Sequence, residues 1–318
     1  DGNQSGTVVT IADGEDSSTV LSGFTIQNGF THSGSWSYGG GIYCSNSAPQ
    51  LRDLNITDNT ADYGGGIAMY STSDTISLTN IIINDNSVYY NGGGIFSENS
   101  ISSIEDISIT NNTANYGGGI SARSSDIDVA YALISNNHSN WHGGAIFVDD
   151  NAALSLTNNT IANNTYGQGT AIDIKVDPGG TLNIVNSIIY QEGFSLSGSG
   201  TNNPATVNIS YSNFVYNQYV YLNSGDQFNQ GNGNISSNPL YADPDNGDYH
   251  LQSTSPAIDT GNPSSPLDPD GTIIDMGVYP YDQGDYDGPV WYVSTDGSNA
   301  SSGTRTNPFS TIQFAIHT

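Results

Sequence analysis

Apolar and polar residues alternate over short runs along most of the chain. Residues 54–56, 76–78 and 154–156 each read apolar, polar, apolar. A period of two indicates β-strands whose apolar side chains face a core. The runs are short, polar turns separate them, and no helical periodicity accompanies them. The pattern therefore predicts an all-β protein built from strands of a few residues.

Two motifs recur in phase with these strands. A glycine-rich element, Gly-Gly-Gly-Ile or Gly-Gly-Ala-Ile, begins at Gly39, Gly64, Gly92, Gly117 and Gly143. Between these elements an apolar residue precedes a second repeating position, occupied by Asn59, Asn86, Asn112, Asn137 and Asn164. Both motifs repeat every 25 to 28 residues. A unit of this length with several short strands and no helix fits one coil of a parallel β-helix, with coils stacked about 4.8 Å apart.

The repeat predicts a solenoid of about eight coils. The glycines would mark sharp turns where a Cβ atom is not tolerated, and the asparagines would form a ladder of amides. The repeat weakens after Tyr166, so we assign residues 1–237 to the coils. Residues 238–288, rich in Asp and Pro, are predicted to form an acidic, loop-rich closing segment. Residues 289–318 are assigned to the opening strand of a following β-helix unit.

The charge of the chain excludes several functional classes. It has 31 acidic and 4 basic residues among 318, for a formal net charge of −27. A nucleic-acid binder, or a protein docking on an anionic membrane, needs Lys and Arg clusters that are missing here. Cys44 is the only cysteine, which excludes an internal disulfide and a cysteine-based metal site. The sequence has no membrane-spanning run, and its acidity suits an extracellular or cell-surface protein.

The repeated residues also carry a family resemblance. The alternation of Gly-Gly-Gly/Ala-Ile with Ile-x-x-Asn resembles the repeats of the polymorphic outer-membrane protein and related right-handed parallel β-helix surface proteins. Residues 255–261, 268–271 and 275–279 resemble the end of the β-helix in large anchored bacterial surface proteins. Residues 291–298 and 303–313 resemble a sequence that opens such a helix. The resemblance implies a right-handed β-helix on a bacterial surface and leaves the activity open, because similar coils serve adhesins, lyases, hydrolases and stalks.

An opening element near the C-terminus, combined with an N-terminus that starts at Asp1 without a recognisable cap, suggests two arrangements. The piece was cut from a tandem array of β-helix units, or its ends pair head to tail with neighbouring subunits. Unpaired strand edges at an uncapped end favour such pairing. We therefore expect self-association or contact with neighbouring β-helix units as the principal partnership.

The few basic residues fall at related positions of the repeat. The third residue after the Ile of successive glycine motifs would stack Glu98, Arg123, Asp149 and Lys175 as a ladder of alternating sign. One interpretation is structural pairing of charges across strands. The alternative is a lyase-like site with Arg123 or Lys175 as base. An alternating ladder neutralises its own bases, which favours the structural interpretation.

An aromatic column precedes the glycines. It comprises Tyr38, Tyr63, Tyr116 and His142, with Trp36 and Trp141 nearby. Such a column could stack sugar rings, and we take Tyr38, Tyr63, Tyr116, Trp141 and His142 as a candidate carbohydrate-binding set. The alternative is a ladder that only covers the turn, as in other stacked solenoids.

Enzymatic activity has weaker support, and we assign no catalytic residue. The Asn-Thr-Asp, Asp-Asp, Gly-His-Gly and Arg-Ile-Lys set of β-helix polysaccharide hydrolases does not occur together, and neither Gly-x-Ser-x-Gly nor a zinc-type His pair is found. Calcium is the expected cofactor, because oxygen ligands recur around glycines in the closing segment. The candidate ligands are Asp243, Asp245, Asp248, Asp268, Asp270, Asp275, Asp282, Asp285 and Asp287. The alternative assigns these residues to turns and caps.

These observations predict a structural or adhesive module of a large extracellular bacterial surface protein, assembled head to tail into a fibre or tandem array. The runner-up is a carbohydrate-binding or polysaccharide-cleaving module that works along one face of the helix.

Overall fold

The computed structural model describes residues 1–32, 36–72, 74–167, 174–190, 193–196, 203–215, 220–284, 293–295, 297–298 and 308–311. Within these residues the regular elements are short strands and one 3-10 turn, Pro244–Asn246. In chain order the strands are β1 (Val9–Ile11), β2 (Val20–Ser22), β3 (Thr25–Gln27), β4 (Phe30–Thr31), β5 (Ile42–Ser45), β6 (Gln50–Thr57), β7 (Thr60–Tyr63), β8 (Ile67–Tyr70), β9 (Thr75–Asn84), β10 (Ser87–Asn91), β11 (Ile95–Glu98), β12 (Ile101–Thr110), β13 (Thr113–Tyr116), β14 (Ile120–Arg123), β15 (Asp126–Ser135), β16 (His138–His142), β17 (Ile146–Asp149), β18 (Ala153–Thr157), β19 (Thr160–Ala162), β20 (Thr165–Tyr166), β21 (Ile174–Val176), β22 (Thr181–Val185), β23 (Ile188–Ile189), β24 (Phe194–Leu196), β25 (Thr206–Ser210), β26 (Asn213–Phe214), β27 (Val220–Tyr221), β28 (Gln227–Gln230), β29 (Tyr241–Asp243) and β30 (Asp248–Leu251).

The strands stack into three long parallel sheets that form a β-solenoid of about seven turns. Sheet 1 has the order β1-β5-β8-β11-β14-β17-β21-β24-β27. Sheet 2 follows β2-β6-β9-β12-β15-β18-β22-β25-β28, with β3, β19, β23 and β26 beside that path. Sheet 3 has the order β4-β7-β10-β13-β16-β20. The chain visits sheets 1, 2 and 3 in turn, and we number the coils by their sheet 3 strand, from β4 in coil 1 to β20 in coil 6. The predicted all-β solenoid is confirmed.

Stacked isoleucines fill the inside of the solenoid. One column follows the glycine motif at the start of the sheet 1 strands, and another stands three residues before the repeated asparagine in sheet 2. The members of both columns are fully buried: Ile42, Ile67, Ile95, Ile120, Ile146, Ile56, Ile83, Ile109, Ile134 and Ile161. The cross-section is narrow, so each coil contributes a few inward side chains and depends on its neighbours for their burial.

The repeated asparagines form the amide ladder that their spacing predicts. The Nδ2 of Asn112 donates to Asn137 Oδ1 in the next coil and to the Ile83 carbonyl, each at 3.0 Å. Its Oδ1 accepts from the backbone N–H and the Nδ2 of Asn86, again at 3.0 Å. Asn112 is fully buried, so the ladder supplies hydrogen-bond partners where water is excluded.

Ile235 still forms a parallel bridge with Asn213 of sheet 2, whereas residues 240–284 leave the coils and pack along their flank. Tyr249 is buried against Leu133 and Ala162 of sheet 2. The Val278 N–H donates to Thr160 Oγ1 at 3.1 Å, and the Gly277 N–H donates to the Asn186 carbonyl at 2.8 Å. This part of the chain therefore braces the later coils from outside.

The first coil exposes strand edges and apolar side chains. Among the described strands, β1 pairs only with β5 and β2 only with β6. Val20 of β2 and the nearby Phe24 are about half exposed, at 46% and 57%. At the other end, the predicted opening strand 289–318 lies mostly outside the described residues. Of the residues in this range that are described, Val293 and Phe309 form a parallel bridge.

Candidate functional site: the aromatic corner

The glycine motif makes a sharp corner between sheet 3 and sheet 1. Its first glycine has a left-handed backbone conformation, with a φ of +64° at Gly64. A Cβ atom on the second glycine, Gly65, would lie 2.6 Å from the carbonyl oxygen of Gly93 in the next coil. Only glycine allows both the turn and the close stacking. The corner brings the ends of the sheet 3 strands against the outer face of sheet 1, and we call this surface the aromatic corner.

The first part of the aromatic corner is a packed stack of rings. The Tyr63 ring lies 5.2 Å from that of Tyr38 in the preceding coil and 5.0 Å from that of Phe96 in sheet 1. Tyr63 is 8% exposed, and burial raises the pKa of its hydroxyl to about 12. Burial likewise raises the pKa of Tyr38. These two predicted sugar-binding residues therefore form part of the wall on which other rings rest, rather than an open platform.

The later part of the predicted column is more open. Tyr116 and His142 are half-buried, and Trp141 is 52% exposed. The Trp141 ring meets the Tyr116 ring edge-on at 5.2 Å, and Tyr116 packs on Phe147 at 5.0 Å. Burial, and then the charge of Lys175, lowers the pKa of His142. His142 is therefore kept in its neutral form at neutral pH and contributes as an aromatic ring.

The most exposed rings in coils 1 and 3 are absent from the predicted set. Trp36 is 69% exposed and Tyr89 is 62% exposed. Trp36 lies 5.6 Å from Tyr90, whose ring meets that of Tyr89 edge-on at 5.2 Å. The sequence does contain a signal for the exposed ring of coil 3. The repeated Asn precedes the first glycine by five residues in coils 2 and 4 but by six in coils 3 and 5.

Three of the four predicted ladder charges occupy equivalent positions in sheet 1. Glu98 pairs in register with Arg123, and Arg123 with Asp149. The guanidinium Nη1 of Arg123 lies 3.9 Å from Glu98 Oε1, while its Nε lies 3.6 Å from Asp150 Oδ2. The closest acid on the Asp149 side is thus the next residue, Asp150. Burial raises the pKa of Glu98 and of Asp149, and the nearby Asp177 adds to the shift at Asp149.

Lys175 does not continue that ladder, which corrects our expectation. We counted its position from Ile172, but the residue of this coil that aligns with Ile146 is Ile174, two residues later. Lys175 therefore stands opposite Phe147. Its side chain is 8% exposed, and its Nζ lies 3.1 Å from Asp177 Oδ1. The buried ammonium is compensated by this carboxylate, so both sheet 1 bases are ion-paired rather than presented as free catalytic bases.

Three of the predicted calcium ligands lie on an exposed hairpin. Asp243, Asp245 and Asp248 surround the 3-10 turn between β29 and β30. Asp243 Oδ2 accepts from Asn246 Nδ2 at 2.7 Å, and Asp248 Oδ1 accepts from the His250 N–H at 3.1 Å. These carboxylates cap their own turn. Asp282 does the same for the Gly284 N–H, and Asp285 and Asp287 lie outside the described residues.

The other three candidates come together in the closing segment. Asp268 and Asp275 are buried, and Asp268 Oδ2 accepts from the Asp275 N–H at 2.7 Å. Asp275 in turn accepts from the N–H groups of Asp259 and Tyr281, both at 2.7 Å. Burial raises the pKa of Asp268 to about 6, with further contributions from the neighbouring acids. No group of three or more His, Cys, Asp or Glu side chains in the described part of the chain is arranged to hold a metal ion.

Comparison with known families bears on the same corner. A repeat model described as the Chlamydia polymorphic membrane protein repeat matches residues 106–123 and 132–149. Each match starts in sheet 2, passes through a sheet 3 strand and the glycine turn, and ends on the last residue of a sheet 1 strand. Over these two stretches, 36 of the 318 residues, the chain is similar to that repeat, and the stretches lie within the parallel β-solenoid. No curated protein matches the sequence.

The described residues contain no helix that is long and apolar enough to cross a membrane.

Proposed function

We propose that this chain is a structural and adhesive module of a large bacterial surface protein. The observation that carries the proposal is the solenoid itself: parallel strands, a continuous isoleucine core and a buried amide ladder make a stiff rod whose side faces are free to display binding residues. The ion pairing of Arg123 and Lys175 supports this role over catalysis.

We further propose that modules join end to end through the open edges of coil 1. Unpaired strand edges accept further strands, and the half-exposed Val20 lies on such an edge. Joining would cover both the backbone hydrogen-bonding groups and this apolar surface. The resulting object would be a fibre or a tandem array of β-helix units.

Electron microscopy and sedimentation velocity of the purified chain test this assembly. Val20→Lys places a charge on the open edge, and we expect it to shorten the assemblies formed at high protein concentration. Ile82→Lys is the matched control, because Ile82 is 52% exposed on β9, the third strand along sheet 2, which is paired on both sides. A wild-type chain that remains monomeric at all concentrations, or equal effects of both variants, would contradict end-to-end joining.

Calcium is proposed as a stabiliser of the closing segment. Between residues 176 and 304 the chain has no Lys or Arg, so the carboxylates there have no basic side chain of their own segment to balance them. Addition of Ca²⁺ should raise the unfolding temperature, and a chelator should reverse the effect. The same titration with Mg²⁺ distinguishes a site for the larger cation from general screening of charge.

A polysaccharide-directed activity is the second candidate function. Its support is the raised pKa of Glu98 and Asp149, two carboxyl groups that flank Arg123 at the aromatic corner. Release of reducing ends from neutral and acidic polysaccharides would show cleavage, and Glu98→Gln and Asp149→Asn should abolish it. Binding without release of products would leave an adhesive role.

A further inference from the structure

Alternate coils of sheet 3 carry an extra residue, and that residue brings an aromatic side chain to the surface. The register between β10 and its neighbours shifts between Val88 and Asn91, and the register between β13 and β16 shifts between Ala114 and Tyr116. In coil 3 the inserted stretch is Tyr89-Tyr90, and in coil 5 it includes Trp141. Bulges of this kind re-aim side chains and are common beside functional sites.

The rings at these bulges are exposed on one side and supported on the other. Tyr89 is 62% exposed and Trp141 is 52% exposed. Beneath them, Tyr90 stacks on Tyr63 at 5.3 Å, and Trp141 rests edge-on against Tyr116 at 5.2 Å. Aromatic side chains held in this way have little freedom left to lose when a ligand binds, which favours binding. Packing of the solenoid requires the buried Tyr63, whereas Tyr89 and Trp141 cover no core.

The exposed rings of coil 3 and that of coil 5 lie two coil steps apart, with coil 4 between them. Because neighbouring strands of a sheet are about 4.8 Å apart, equivalent backbone positions two coils apart are separated by about 9.6 Å. Between them lies a line of amides: Asn140 Nδ2 donates to Asn115 Oδ1 at 2.8 Å, and Asn115 Nδ2 donates to the Tyr89 carbonyl at 2.6 Å. The face thus alternates apolar rings with polar amides along the solenoid axis.

We propose that this face, defined by Trp36, Tyr89, Tyr90, Asn115, Asn140 and Trp141, binds an extended, uncharged β-1,4-linked glycan that lies parallel to the solenoid axis. In such a ribbon-like glycan every second sugar presents the same face, and the disaccharide repeat is comparable with the two-coil spacing. Aromatic rings would stack on alternate sugars, and the amides would hydrogen-bond to the hydroxyl groups between them.

The charge of the chain selects against acidic glycans. The described strands of sheet 3 contain no Lys or Arg, and the whole chain carries a net charge of −27. A uronic acid or sulfated polymer would meet repulsion, with no Lys or Arg on the described strands of this sheet to offset it. This inference deepens the proposed adhesive role and rests on it, although it does not require end-to-end assembly.

Calorimetric titration of the full chain with cellohexaose, chitohexaose and the corresponding disaccharides tests the inference. We expect at least one hexasaccharide to bind and its disaccharide to bind at least about tenfold more weakly, because only the longer ligand reaches both ring positions. Trp141→Ala and Tyr89→Ala should each weaken hexasaccharide binding by about tenfold. Trp141→Phe should retain most of the affinity.

Ile82→Ala is the matched control, since Ile82 has the same exposed fraction as Trp141 but lies on sheet 2. Circular dichroism and the melting temperature establish that each variant is folded, which is expected because none of the substituted side chains is buried. No binding of any uncharged β-1,4-linked hexasaccharide would overturn the inference. So would binding that survives loss of both rings, or a preference for an acidic glycan such as hyaluronate. Each of these results is separate from the fibre test above.

Discussion

The coils and the closing segment satisfy their buried polar groups in opposite ways. In the coils a buried Asn bonds to the same residue type one turn later, as Asn86, Asn112 and Asn137 do. In the closing segment buried carboxylates accept from backbone N–H groups that lie 7 and 16 residues away in the chain, as at Asp268 and Asp275. The first solution is neutral and repeats without limit. The carboxylate contacts of the closing segment do not repeat along the chain, and they concentrate negative charge.

This difference shows where the stability of each region resides. The amide ladder is fully compensated, so it contributes at any pH at which the backbone is folded. The closing segment carries a carboxyl group, Asp268, whose pKa of about 6 lies above the usual value of 3.8. Its ionisation opposes folding. The coils should therefore respond to the loss of a hydrogen-bonding partner, and the closing segment to pH.

The largest expected effect is the loss of one rung of the ladder. Asn112→Ala leaves the Asn86 N–H without its buried acceptor and the Ile83 carbonyl without this donor. Asn137 Oδ1 also loses one of its two donors, although it keeps the bond from the Asn112 backbone N–H. Unsatisfied buried groups cost about 1–3 kcal/mol each, so we expect the free energy of unfolding to fall by about 3–5 kcal/mol. Urea-induced unfolding measures it.

The control for this variant is an exposed amide ladder on sheet 2. Asn208 Nδ2 donates to Asn183 Oδ1 at 2.8 Å, but solvent can replace that bond. Asn208→Ala should cost at most about 0.5 kcal/mol. If the two variants lowered stability equally, burial of the ladder would not be the source of its contribution.

A smaller effect of opposite sign is expected in the closing segment. A carboxyl group whose pKa is raised on folding binds its proton more tightly in the folded state, so stability is lost as pH rises from about 4 through about 6. Asp268→Asn removes that loss. We expect it to stabilise the protein by roughly 2–3 kcal/mol at pH 7–8 and to have little effect below about pH 4. Thermal unfolding across this pH range is the measurement.

Asp270 provides the comparison within the same segment. Burial raises its pKa, but hydrogen bonds from Thr272 and Gln283 outweigh that effect and leave the pKa below the usual value. Asp270→Asn should therefore destabilise the protein at pH 7, the reverse of Asp268→Asn. Ca²⁺ provides a second control: if it binds these carboxylates, its stabilising effect will shrink in both variants.

The smallest effect is expected at Arg123. Its side chain is 44% exposed and sits 3.6–3.9 Å from two carboxylates. Exposed pairs contribute little, so Arg123→Gln should change the free energy of unfolding by less than about 1 kcal/mol. It should also raise the pKa of Glu98 further, because Arg123 opposes the effect of burial there. Titration of Glu98 by NMR detects that shift. If Arg123→Gln instead lowered the free energy of unfolding by much more than about 1 kcal/mol, the charge ladder would contribute more to stability than its exposure implies.

Sequence and structure agree where every coil repeats the same local rule. The glycine motifs, the isoleucine columns and the asparagine ladder are all periodic, so stacking equivalent residues is enough to place them. Agreement failed where one coil departed from the period. Lys175 was misplaced because its strand starts at Ile174, and Tyr89 was overlooked because the bulge of coil 3 interrupts the count.

The sequence alone determined the solenoid, because glycine at the corner and asparagine inside the turn are the residues that close stacking of parallel coils permits. It also determined the acidic character of the closing segment. Tertiary structure decided which tyrosines are buried and which are exposed, since that depends on how the bulged strands of sheet 3 place their rings against sheet 1. It also brought Asp259, Asp268 and Asp275 together, because their contacts follow the path of a non-repeating chain over the flank of the coils.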